Sequence, residues 1–350
     1  MNRDFATRST FWDDVKGICI IAVVVIHILA PLTAAPSFSM EWLNGTLLSQ
    51  PVDFAVPIFL AISGYFVSHQ RSDHATNFYS KRLKRLIFPY VVWTVIYTVL
   101  FAPSKLLSPV YLASAIASGT GIGIGYFVIV LLQFTLLTPV LAYIRTERQH
   151  FIIMMVSACF GLVWSYAVRF VPQFGSLGTF PYDALPFFVW CPFYQLGLFL
   201  RRFPSRAEAL GGWKALLSGL LLLLLLLSIV EAWAFGASVH PDFGASQLKL
   251  STFAFSTVLF LLLVALSNSS PSLFGVSALA WLGRNSFPIY LSHMLMLRVL
   301  SAFLAKSPLG HLGMVTNVPI LTAAVLAACT VAISVIRRFS PARIRVALSV

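Results

Sequence analysis

Ten stretches of the chain carry no more than two charged residues each: 15–34, 51–69, 86–103, 122–144, 151–169, 185–200, 213–234, 250–267, 285–304 and 318–336. About 20 apolar residues wound as a helix cross a bilayer core of about 30 Å. Inside that core a helix satisfies its own backbone groups. The expected fold is therefore all-α, a polytopic integral membrane protein of about ten transmembrane helices. Charged residues make up only 10% of the chain, against about 25% in a soluble domain. The sixth stretch is short and bounded by Pro186 and Pro192, and the ninth is the least apolar.

A net charge of +13 would suit a nucleic-acid binder, but the basic residues follow the loops rather than one face. Threading the stretches with both termini on one side leaves only Lys105, Arg169, Lys249, Arg298 and Lys306, of 24 lysines and arginines, off that side. By the positive-inside rule the termini are cytoplasmic. The acidic pair Asp13–Asp14 is at odds with a cleaved signal. Cys19, Cys159, Cys191 and Cys329 fall in or beside apolar stretches with no C-x-x-C pair. They read as small hydrophobes, with no disulfide framework and no metal site expected.

The first stretch holds an ionisable group at membrane depth, His27, eleven residues after Lys16. Eleven residues turn a helix about 20° past three full turns, so both side chains share a face and lie about 16 Å apart along the axis. Gly17 lets a backbone or a ligand come close. An imidazole suits general-base chemistry near neutral pH; an interhelical hydrogen bond is the plain alternative.

Just before the third stretch, Lys81, Arg82, Lys84 and Arg85 occupy four of five positions. On a helix Lys81, Lys84 and Arg85 share a face, as do Arg82 and Arg85. Simple topology accounts for such a cluster, and so does a site for a polyanion. Asp53 lies near the outer end of the second stretch, about 8 Å further outward than His27; a carboxylate there suits orienting His27 or a substrate hydroxyl. Pro57 and Ser63–Tyr65 predict a kinked helix with a closely packed small residue.

Tyr126 and Gln133 share a face of the fourth stretch and line either a cavity or an ordinary helix contact. His293 is the second intramembrane histidine, with a site role and interhelical bonding equally open. Arg298 needs a partner or must snorkel, and Glu231 reads as interfacial. The loops near 170–184 and 235–249 mix aromatics with Asp183, His240 and Asp242. Interfacial aromatics and turn residues are the favoured reading there, an external mouth the other. The unbroken run Leu220–Leu227 predicts a lipid-facing helix.

The chain resembles the membrane O-acyltransferases of acyltransferase family 3 over essentially its whole length. The resemblance rests on the basic residue, ten intervening residues and histidine of Lys16 to His27, on the R-x-x-R pair Arg82 and Arg85, and on "VPIFLAISGYFVS", "YFVIVLLQFTLLTPVL" and "LGRNSFPIYLSHMLML". The first-helix basic residue is lysine here where the family more often has arginine. The resemblance implies a single transmembrane acyltransferase domain over residues 1–350, without the extracytoplasmic domain that some members carry. It implies transfer of an acyl group, commonly acetyl, from acyl-CoA to a carbohydrate hydroxyl, in a bacterial inner membrane. On that reading Arg82 and Arg85, helped by Lys81 and Lys84, hold the nucleotide end of the donor at the cytoplasmic face. The pantetheine arm runs between Lys16 and His27, and His27 deprotonates the acceptor or carries the acyl group covalently. The expected partners are acyl-CoA, a glycan and membrane lipids, with no nucleic acid. A glycan transporter without chemistry is the main rival, although no repeat symmetry is visible; a structural subunit leaves Lys16 and His27 unexplained.

Overall fold

The computed structural model describes residues 10–67, 75–141, 143–307 and 313–350. Arg3, Arg8, Arg71 and the side chain of Lys81 lie outside the described part. Fifteen α-helices follow one another there: α1 (Thr10–Thr33), α2 (Met40–Ser49), α3 (Ala55–Tyr65), α4 (Ala75–Phe101), α5 (Pro109–Ser118), α6 (Tyr126–Leu141), α7 (Glu147–Phe170), α8 (Phe187–Arg202), α9 (Pro204–Ala209), α10 (Lys214–Gly236), α11 (Leu250–Ser267), α12 (Ser277–Arg284), α13 (Ser286–Ala305), α14 (Met314–Phe339) and α15 (Ala342–Ala347). The fold is all-α, an integral membrane bundle. Short polar signals start several helices: the Ser39 hydroxyl accepts from the Trp42 amide to open α2, and Thr146 and Gln149 form a reciprocal capping box on α7.

Each of the ten apolar stretches holds a helix, but among the described residues seven helices are long and apolar enough to cross a membrane: α1, α4, α7, α10, α11, α13 and α14. The eleven residues of α3 rise about 16 Å, and the sixteen of α6 and of α8 about 24 Å. The chain leaves the α-helix at 50–54 and 119–125 on the way into α3 and α6, and at 171–186, a largely exposed loop ahead of α8. Local bonds hold it there, such as Asp53 N–H to the Ser49 carbonyl at 3.0 Å and Gly125 N–H to the Gly119 carbonyl at 3.0 Å. The expected kink at Pro57 is not found. α3 begins at Ala55, so Pro57 sits in its first turn, where a missing N–H costs nothing.

α1 is the central helix and packs on α2, α3, α12, α13 and α14. Glycines set the two closest approaches. A Cβ on Gly283 of α12 would meet the Asp13 carbonyl at 1.7 Å, and one on Gly17 would meet the Leu279 carbonyl at 2.3 Å. Gly17 therefore admits a backbone, not a ligand. α3 and α8 interlock in the same way through Gly64 against the Tyr194 carbonyl and Gly197 against the Ala61 carbonyl. Asp14, at the start of α1, accepts from the Ser272 hydroxyl at 2.8 Å and the Leu273 amide at 3.0 Å. Near the end of α14, Arg337 donates to Asn285 at 2.5 Å. Both ends of the bundle's chain thus meet the 271–285 segment on one side, which we call inner; the opposite side is outer. Leu222, Leu223, Leu226 and Leu227 of the leucine run are exposed, as a lipid-facing helix requires.

Candidate active site

α1, α3, α6 and α13 each run past two cavities. The outer one, of about 370 Å³, is lined by Val23, His27 and Ala30 from α1, by Asp53 and Val56 around the start of α3, and by Tyr126, Tyr290 and Met294. The inner one, of about 320 Å³, is lined by Lys16, by Phe59 and Ser63 of α3, by Arg82 and Arg85 of α4, and by Phe127 and Tyr290. Lys16 and His27 share a face of one continuous helix, as their spacing requires, but open into different cavities.

His27 is half-buried, and among the described residues no hydrogen bond reaches its ring. Its nearest ring neighbour is His293, with centroids 5.3 Å apart. His293 is fully buried and does not line the cavity. Its Nδ1 lies 2.7 Å from the Tyr290 carbonyl and 3.2 Å from that of Ile289. Carbonyl oxygens only accept, so Nδ1 carries the proton and Nε2 keeps its lone pair. Asp53 is fully buried and lines the outer cavity. The carboxyl lies within the influence of the Ser49 hydroxyl and the Lys249 ammonium and keeps acceptor capacity for a ligand in the cavity.

Behind Asp53 lies a polar knot that hydropathy alone does not suggest. Lys249, fully buried, donates to Gln50 Oε1 at 2.6 Å, Ser228 Oγ at 2.5 Å and Ser251 Oγ at 3.1 Å. Gln50 in turn donates to the Gly244 carbonyl at 3.2 Å. The knot joins α2, α10, α11 and the 237–249 loop.

The outer loops form a mouth, the reading that the sequence did not favour. Arg169, at the end of α7, donates to Asp183 at 3.0 Å and to Asp242 at 3.0 Å, and all three line the outer cavity. The 171–186 loop is fixed by Trp190 on the Ala184 carbonyl at 2.7 Å and Trp164 on the Asp183 carbonyl at 3.2 Å. Burial holds the Asp183 carboxyl above the usual carboxylate range, and the Arg169 guanidinium opposes that rise. His240 packs edge-on against Phe170 at 5.4 Å rather than facing the cavity.

The remaining candidates divide. Tyr126 lines the outer cavity, whereas Gln133 donates to the Leu185 carbonyl at 3.1 Å and lines neither cavity. Arg82 and Arg85 line the inner cavity, whereas Lys84 is exposed outside its wall. Lys16 pairs with Asp13 at 2.8 Å. Arg298 stacks over Phe101 at 4.4 Å. Glu231 is no plain interfacial group: it accepts from the Tyr166 hydroxyl at 2.6 Å and the Ser251 amide at 2.9 Å. Arg169, Lys249 and Tyr290 gave no functional signal in the sequence.

A cation-lined cavity and a histidine-and-carboxylate cavity at two ends of one helix suit a group transfer between a polyanionic donor and a hydroxyl acceptor. No curated protein and no solved structure matches the chain. The model of acyltransferase family 3, described as an acyltransferase domain, matches residues 10–337, and the chain belongs to that family of membrane acyltransferases.

Proposed function

We propose that the protein moves a short acyl group, acetyl by preference, from acyl-CoA to a carbohydrate hydroxyl, with the donor held in the inner cavity and the acceptor in the outer one. The observation that carries this reading is the division of labour along α1: Lys16 with Arg82 and Arg85 at one end, His27 with Asp53 at the other. Guanidinium pairs match the phosphates of a nucleotide end. The His27 lone pair takes the proton of the acceptor hydroxyl as its oxygen attacks the thioester carbonyl. The C–S bond then breaks, the ester stays on the acceptor, and the thiolate leaves and regains a proton as CoA. Asp53 accepts a second hydroxyl of the acceptor and sets its orientation.

The inner end carries most of the basic residues and faces the cytoplasm on this reading, with the bacterial inner membrane as the location. A carrier without acyl chemistry accounts for two cavities but not for membership of an acyltransferase family.

Titration calorimetry of the purified protein with acetyl-CoA tests the donor assignment. Arg85→Ala is expected to weaken binding by about tenfold, the loss of one charge-assisted contact, while leaving acceptor binding unchanged. Unaltered donor binding in Arg85→Ala, or no binding to the wild type, would move the donor site elsewhere.

A further inference from the structure

Tyr290 is the one residue, among those described, that lines both cavities. Its position on α13 explains why. Ser286 and Phe287, one turn before it, face the inner cavity, and Met294, one turn after it, faces the outer one. Its ring is buried and leans on Phe127, a wall of the inner cavity, with centroids 5.3 Å apart. Its hydroxyl donates to the carbonyl of Ile124, a residue of the outer cavity set between Gly123, whose φ is +75°, and Gly125. The ring is thus braced from one cavity and latched to the other. Nothing polar is needed at that depth for packing alone, and a phenylalanine would fill the same volume.

His27 does not line the inner cavity and Arg82 and Arg85 do not line the outer one, so a thioester held by the two arginines has to cross from one cavity to the other, and Tyr290 is the side chain common to both walls. We propose that the Tyr290 side chain is the partition between the donor and acceptor cavities and limits the length of acyl group that reaches His27. The proposal rests on the acyl-CoA reading given above. Its first part, that the ring separates the cavities, stands on the geometry alone. The Tyr290 ring acts by exclusion and takes no part in bond making, so its loss shows as altered donor selectivity rather than lost chemistry.

The test compares acetyl-CoA with hexanoyl-CoA as donors for wild type, Tyr290→Phe, Tyr290→Ala and Phe127→Leu. Tyr290→Ala is expected to raise the hexanoyl-to-acetyl ratio of kcat/KM by at least about tenfold, the order of discrimination that an apolar pocket gives by size. Phe127→Leu, which trims the second ring, shifts the ratio in the same direction by less and serves if Tyr290→Ala folds poorly. Tyr290→Phe keeps the bulk and the wild-type ratio. A ratio within about twofold of wild type in both trimmed variants, with acetyl transfer retained, would overturn the length filter. Electron cryomicroscopy of Tyr290→Ala reads the partition without any acyl donor: one continuous cavity is expected, and two still separate would overturn it. Wild type inert towards both thioesters would instead overturn the donor reading and the filter with it, leaving the cavities of the variant to decide the partition.

Discussion

Val23, Ile26, His27 and Ala30 recur at helical spacing on α1 and face the outer cavity, so His27 is the one titratable group on an apolar stripe. That much was legible in the sequence, because a period of 3.6 puts residues 16 and 27 on one face whatever surrounds them. Arg169 was not. It looked like a stray positive charge at a helix end, and its partners lie 14 and 73 residues away. Their meeting depends on how two loops fold back over the bundle, which no local spacing records. The pair makes a prediction about pH. A carboxyl raised in the folded state, as Asp183 is, binds its proton on folding. Its ionisation therefore costs stability as pH rises from the ordinary carboxyl range through the raised value. Arg169→Ala removes the cation that opposes the rise and widens that window. The Tm gap between Arg169→Ala and wild type should be larger at about pH 8 than at about pH 5. An equal gap at both would show that Asp183 does not depend on Arg169 for its charge.

Hydropathy located all ten apolar elements and the shortness of α8, but not the lengths of α3 and α6. The composition of 50–54 or 119–125 does not record that the chain there leaves the helix to line a cavity. α3 and α8 touch backbone to backbone beside the site, at Gly64 and Gly197. A side chain cannot enter: a Cβ on Gly197 would stand 2.0 Å from the Ala61 carbonyl. Gly197→Val should therefore force α3 away from α8 and destabilise the protein by at least about 1–3 kcal/mol, the range for overpacking. The same displacement moves Asp53 and Ser63, one at each cavity. Thermal unfolding in detergent checks this; an unchanged Tm would mean that the two helices separate without cost.

At the scale of the whole molecule, the bundle is built around one helix that meets both cavities, with the leucine-rich face of α10 turned outward and the polar residues gathered inward. The basic bias of the loops and the Lys16–His27 spacing were enough to anticipate a basic inner end and a histidine on the same helix face further out. What they left out was the wall between: Tyr290 belongs to an apolar helix and differs in the sequence from no other aromatic. The measurement that bears most directly on the account is release of free CoA from acetyl-CoA by the purified protein, with and without candidate glycans, for wild type beside His27→Ala. The account predicts release by wild type that requires the glycan, and a loss of about a hundredfold or more in His27→Ala with the protein still folded, the scale of a missing general base. Acceptor-dependent release that persists undiminished in His27→Ala would contradict it.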